Sequence, residues 1–346
     1  MSMPSMTNLP PMTNLSVRGI NWPHLTACML VAATAVLLCF GALVTTFDAA
    51  MAVPDWPATY GHNMFLFPLA DWLHGPWDLF LEHGHRLLGA IVGMMSLALG
   101  AVVWQSKSST AVRALAAAAV LLVIVQGMLG GARVLLDDKT VAKVHACTGP
   151  LFFAVAVAIA TLTGRQTHRS IPSLPAARSA MGLVIGSYMQ LVAGAQLRHL
   201  DAAVEPATFH WLVAFHLIGA AVVAGLATGA VFYSRPENPP TRRWSLGILL
   251  LVGCQVALGC AAWVVSWGLP SGWLPPSWTF SEPILARSLW GATVVTGHVV
   301  LGMLILGASV VLAIQSGGLS PTSTPRPLTR PAVPRPSDHP PKRAFA

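Results

Sequence analysis

The chain has 346 residues, of which 54% are hydrophobic and only 9% charged, with a formal net charge of +8. Soluble domains carry about 25% charged residues, so long apolar runs at this low charge exclude a soluble enzyme and indicate a polytopic membrane protein. The Lys and Arg residues are sorted by loop rather than gathered in one patch, which excludes nucleic acid as the partner.

Residues 1–24 read as a disordered tail. The first apolar run, 25–47, has no small-residue cleavage site behind it and continues as a full span, so no cleaved signal is expected. A long connection follows at 48–80, rich in proline and aromatics and free of Lys and Arg. Its Trp56, Trp72, Trp77, Phe65 and Phe67 suit either an interfacial belt or a lid over a nearby pocket. Further spans are expected at 84–104, 112–132, 142–163, 180–200, 209–232, 244–266 and 289–313, each near the ~20 residues that cross a bilayer. A linker at 164–179 separates two four-span halves, 25–163 and 180–313, and a Pro-rich basic tail, 314–346, closes the chain. The tail is placed to touch anionic lipid. The fold class is an all-α membrane protein of eight transmembrane helices in two pseudo-symmetric four-helix bundles.

One set of loops holds Arg18, Lys107, Arg113, Arg165, Arg169, Arg178, Arg235, Arg242, Arg243 and the basic tail. The other holds Arg133, Lys139, Lys143, Arg198 and Arg287. The positive-inside rule then puts both termini in the cytoplasm of a multi-pass inner-membrane protein. Cys28, Cys39, Cys147, Cys254 and Cys260 all lie in spans, have no metal-ligand spacing, and are expected as small buried core residues.

The halves repeat weakly. Q-G-M-L-G at Gln126 resembles Q-V-A-L-G at Gln255, and each even-numbered span carries a histidine: His85, His145, His216 and His298. A histidine in a membrane helix is costly and needs a reason. Even spans all run the same way. His85 falls one or two residues into its span, His145 about three, His216 about seven and His298 about nine. All four then lie within roughly 15 Å of one membrane surface. Glycines surround them: Gly84, Gly89, Gly149, Gly219, Gly297 and Gly302. They permit close approach, either of another helix or of a flat macrocycle. The arrangement reads as two bis-imidazole haem sites.

E-H-G-H-R at 82–86 is the densest chemical string. Glu82 shares a helix face with His85 and is a candidate for proton transfer or for stabilising developing charge. It also suits a helix N-terminus. His83 faces away and is expected in the headgroup zone. His62, His74, His199 and His210 read as surface residues, as do His24, His168 and His339. Arg86, Arg133 and Arg198 are candidate contacts for haem propionates, because the Arg fork matches carboxylates.

G-A-L-V-T-T-F-D-A-A-M-A-V-P-D-W-P, E-H-G-H-R-L-L-G, Q-G-M-L-G-G-A-R-V-L, K-V-H-A-C-T-G and the second-half histidines resemble the haem A synthase family over about residues 27–313. The resemblance implies oxidation of the C8 methyl of haem O to the formyl group of haem A, with oxygen from water, for haem-copper terminal oxidases. It implies His85 and His145 as ligands of haem O or haem A, His216 and His298 as ligands of a resident haem b, and Glu82 as the essential carboxylate. It further implies contact with haem O synthase and oxidase assembly, and homo-oligomer formation; the electron acceptor is unknown. Two features depart from the family pattern: the first loop lacks its cysteine pair, and His216 is followed by Leu217 in place of Arg. The competing reading is a di-haem electron-transfer cytochrome, which has no use for a carboxylate at Glu82. A haem chaperone and a transporter are further alternatives, the latter disfavoured by span centres without charge.

Overall fold

The computed structural model describes residues 20–164, 174–200, 204–234, 239–268 and 288–317. Arg18, Arg165, Arg169, Arg235, Arg287, His168, His339 and most of both tails lie outside the described residues. Nine helices are described: α1 (Trp22–Thr46), α2 (Leu69–His74), α3 (Trp77–Gln105), α4 (Thr110–Leu136), α5 (Lys139–Thr163), α6 (Leu174–Arg198), α7 (Pro206–Tyr233), α8 (Pro239–Trp267) and α9 (Leu289–Gln315). All but α2 are long and apolar enough to cross a membrane. The described residues contain no strand, only an isolated bridge between Thr59 and His62. The chain is a multi-pass, all-α membrane protein.

The helices run past the apolar stretches at most of their ends, and at seven of the eight starts. Polar residues and prolines build these extra turns. Asn21, Ser109, Asp138 and Ser288 accept hydrogen bonds from the first free N–H groups of α1, α4, α5 and α9, which would otherwise be orphaned. The largest difference is in α3, which starts at Trp77 instead of 84. Asp78, Glu82, His83, His85 and Arg86 lower the local hydropathy but are compatible with helix. His85 therefore lies eight residues past the start of its helix, His145 six, His216 ten and His298 nine. At 1.5 Å per residue they sit about 9–15 Å from their helix starts, a closer match in depth than the apolar stretches implied.

Each half forms a ring of four helices. In the first, α1 packs on α3, α3 on α4, α4 on α5 and α5 back on α1; in the second, α6, α7, α8 and α9 repeat the order. The rings join through α5 and α1 against α9, and α5 against α6. Phe153 and Val157 of α5 meet Val310 and Ile314 of α9 at this seam. Because the histidines occupy α3 and α5, then α7 and α9, each pair faces across the diagonal of its own ring.

The main core of each ring fills the half remote from the histidines, and a smaller cluster of Val44, Ala49 and Leu81 is buried at the histidine end of the first. In the first ring the main core runs through Ala27, Leu30, Leu99, Val103, Ala116, Phe152 and Ile159. In the second it runs through Leu183, Val223, Ala227, Ile248, Val252, Ile305 and Leu312. On α7 no residue before Val223 is buried. The cysteines depart from expectation: Cys28, Cys254 and Cys260 are exposed, Cys39 and Cys147 half-buried, and all are free thiols. A membrane helix turns small apolar side chains toward lipid as readily as toward its neighbours, so burial in protein does not follow from membership of a span.

Helix association in lipid rests on close packing. At the seam, a Cβ on Gly307 would meet Phe153 at 3.0 Å, whereas on Gly253 it would meet nothing within 4 Å. Gly307→Leu is expected to destabilise the protein by about 1–3 kcal/mol, read as a lower melting temperature in detergent, with Gly253→Leu unchanged.

Candidate functional site

The four sequence-predicted histidines come together as two pairs. The ring centroids of His85 and His145 are 6.5 Å apart, and those of His216 and His298 are 6.3 Å apart. An iron held between two imidazole nitrogens at about 2 Å each separates the centroids by roughly 6 Å. Both pairs thus have the spacing of axial haem ligands. Among the described residues no third His, Cys, Asp or Glu joins either pair to build a cage for a bare ion.

Each imidazole lies on a glycine of the adjacent helix. A Cβ on Gly41 would meet the His85 ring at 3.0 Å, on Gly130 the His145 ring at 3.4 Å, on Gly194 the His216 ring at 3.4 Å, and on Gly259 the His298 ring at 3.0 Å. The glycines let the neighbouring backbone come close enough to fix the rings. One turn before three of these glycines stands a glutamine: Gln126, Gln190 and Gln255. The Gln126 amide donates to the His145 carbonyl at 3.4 Å and to Thr148 Oγ1. The Gln190 amide donates to the His216 carbonyl at 2.8 Å and lies 3.2 Å from the ring Nδ1. The buried rings of His85, His145 and His298 each have as polar neighbour the backbone one turn before the glycine, at Leu37, Gln126 and Gln255, with Nδ1 outside good hydrogen-bond geometry. The repeat pointed to Gln126 and Gln255, but Gln190, Gly41 and Gly194 went unnoticed. An (i, i+4) search for glycine on the helix before each histidine would have found them.

The first pair alone carries an acid at this spacing. Glu82 is 4% exposed; one carboxylate oxygen accepts from the Val53 N–H at 2.8 Å and the other pairs with Arg86 at 2.8 Å. At the equivalent distance before His216 stands Val213. Arg86 was a candidate for propionate contact, but its terminal nitrogens are engaged otherwise. They donate to the carbonyls of Val53 (2.7 Å), Asp55 (2.6 Å) and Ala58 (3.0 Å) as well as to Glu82. It clamps the 48–76 connection onto α3.

That connection is a built cover. Asp55 accepts from the N–H groups of Tyr60 (2.8 Å) and Gly61 (2.7 Å), which sit at positive φ and turn the chain. Burial raises the Asp55 carboxyl, but those N–H groups and Arg86 outweigh it and hold it below the usual range. Trp56 lies so closely on α4 that Gly131 has no room for a Cβ. Arg133 donates to the Ala50 carbonyl at 3.1 Å. His83 is the clear correction: it is 1% exposed, bonded to Thr59 Oγ1 at 3.0 Å and enclosed by Phe67 and Trp72, because the cover folds over the residues that sequence placed among headgroups.

Arg198, on the second ring, reaches the first. Its Nη2 donates to the Ala42 carbonyl at 2.6 Å and to Thr46 Oγ1, while Nη1 is buried with no partner. Beside it, His199 is half-buried, and burial followed by Arg198, Arg133 and Lys143 pushes it down to about 4.

Residues 24–217 match the family model described as cytochrome oxidase assembly protein (COX15-CtaA). The chain belongs to this family. The family match takes in the first ring from the third residue of α1 and ends just past His216, so it includes Glu82, His85 and His145; His298 lies beyond it. The chain is similar to the haem A synthase of Symbiobacterium thermophilum, 28% identical over 259 residues, covering 65% of this chain and 81% of the relative. It is also similar to the haem A synthases of Alkalihalophilus pseudofirmus (29% over 182 residues, 50% of this chain and 59% of the relative) and Shouchella clausii (28% over 182 residues, 50% and 58%). Against these last two the chain spans somewhat under two thirds of the relative's length.

Arg86→Ala is expected to free the cover, making residues 48–76 cleavable by protease in detergent-solubilised protein that otherwise resists. A depressed carboxyl stabilises above its unfolded value and loses its effect as pH falls through the folded one. The cover's resistance is therefore expected to persist at pH 5 and fail only below about pH 4, with Asp55→Asn cleaved at both.

Proposed function

We propose that this chain is a haem A synthase, an oxidoreductase that converts the C8 methyl of haem O into the formyl of haem A for haem-copper oxidases. The observation that carries this reading is the inequality of two otherwise matching sites. Both histidine pairs have axial-ligand spacing, and only His85/His145 lies beside a buried acid under a clamped cover. His85 and His145 are assigned to the substrate haem. His216 and His298 are assigned to a resident haem b, which when bound supplies one-electron redox chemistry. The two rings correspondingly serve as a substrate half and a cofactor half.

Turning a methyl into a formyl group removes electrons and protons and adds one oxygen. Glu82 is the group able to accept a proton at that position. Arg86 balances its charge, and the Val53 N–H fixes its orientation. The cover formed by Trp56 and its neighbours limits water to what the reaction consumes. The buried, unpartnered Nη1 of Arg198 supports this residue as a propionate contact, and Arg133 is the second candidate. The loop sorting of Lys and Arg supports both termini in the cytoplasm of an inner membrane, with the histidine end facing away. Haem O synthase as supplier, contact with oxidase assembly and self-association are further proposals resting on family membership.

The test is expression with a source of haem O, followed by extraction and chromatographic identification of the haems. Haem A is expected. Haem b alone, with no oxidised product, would establish the electron-transfer cytochrome instead. Glu82→Gln, which keeps the side chain's shape, is expected to lower conversion by roughly a hundredfold with haem b retained. His216→Ala is expected to lose haem b, and unchanged haem b content would refute its ligand role.

A further inference from the structure

Arg198 ends α6 in the second ring, but its guanidinium hydrogen bonds are made to the first. Nη2 donates to the Ala42 carbonyl at 2.6 Å and to Thr46 Oγ1, both on α1. Among the described residues no Cα of α1 comes within 8 Å of one on α6, so the side chain spans a gap that the backbones leave. Ala42 directly follows Gly41, the glycine on which the His85 ring is seated. Thr46 Oγ1 also lies 3.4 Å from Thr296 Oγ1 on α9, two residues before His298. One guanidinium and one hydroxyl therefore tie the seat of His85 to the helix that carries His298.

Nη1 of the same guanidinium is buried with no partner. A buried cation with an unpartnered donor calls for an anion. The charges of Arg133 and Arg198 divide between the two sites. That of Arg133 bears on His85, His145 and Glu82, and that of Arg198 on His298. A propionate on Nη1 thus belongs to the haem of the second site. The guanidinium is planar and holds its donors in fixed directions. An anion held at Nη1 therefore also fixes how Nη2 is presented to α1.

We infer that Arg198 holds a propionate of the second-site haem on Nη1 and α1 on Nη2, so that filling the His216/His298 site fixes the Gly41 seat of His85 and raises the first site's affinity for its own haem. Arg198 is on this account a positioning residue for the first site, acting through Ala42 and Gly41. The two sites then load in order, the second before the first. The inference rests on the assignment of the two histidine pairs to haems.

The experiment titrates haem O into purified full-length protein and follows the Soret band, with the second site either filled by haem b or kept without haem by His298→Ala. Haem O is expected to bind about tenfold more tightly when the second site is filled. Arg198→Lys keeps the charge but loses the fork, and is expected to abolish the difference. Thr46→Val removes the hydroxyl on α1; haem b content is expected to be unchanged and the difference to fall to about threefold or less. Thr46→Ser, which keeps the hydroxyl, is expected to keep the full difference. A merely structural Thr46 would instead weaken haem O equally with and without haem b. His216→Ala serves in place of His298→Ala should the latter fail to fold. Equal haem O affinity with and without haem b, a full difference in Arg198→Lys or Thr46→Val, or equal weakening by Thr46→Val in both backgrounds would each overturn the inference. Failure of the unaltered protein to bind haem O would instead overturn the assignment on which it rests.

Discussion

The close seating of an imidazole on a glycine backbone is the contact on which the rest of this structure depends. A polar ring in a membrane helix has no water to satisfy it and is tolerated only where protein or a ligand encloses it. Glycines at 41, 130, 194 and 259 bring the neighbouring helix against the ring, so each histidine has one face closed by backbone. Placing histidines on α3, α5, α7 and α9 then makes each pair meet across a ring diagonal. The main core of each ring lies on the other side of that level.

From this symmetric frame the two halves diverge by a few side chains. Glu82 and Arg86 on α3 stand where α7 has Val213 and Leu217. The pair recruits the 48–76 connection through backbone groups, so that acid, clamp and cover form one unit. An acid that can take protons and a cover that limits water suit a place where a bound group is altered. Each ring ties one histidine through a glutamine amide, His145 in the first and His216 in the second, but the second ring lacks the acid, which suits a place where a group is held. Arg198 links the two, being rooted in α6 and bonded to α1 next to the turn that carries Gly41.

Some residues were legible in the sequence and others were not, for definable reasons. The eight spans were legible because hydropathy reports lipid exposure directly, and the four histidines because each is costly where it stands. The start of α3 was not, since Asp78, Glu82 and Arg86 hide a helix from a hydropathy window. His83 could not be placed, because its burial comes from Thr59, Phe67 and Trp72 of the preceding segment folding back over it. Arg86 read as a candidate propionate contact, although three backbone carbonyls of that same segment claim it.

The sequence by itself determined a membrane protein with two related halves, four histidines at similar depth and one acid beside them, because these follow from composition and from spacing along single helices. Only the tertiary structure decided which histidines face each other, which glycines lie beneath them and what Glu82 and Arg86 touch. Those are contacts between helices and between a helix and its cover. They depend on how the helices rotate and approach, and nothing in the spacing along one helix fixes the rotation of the next.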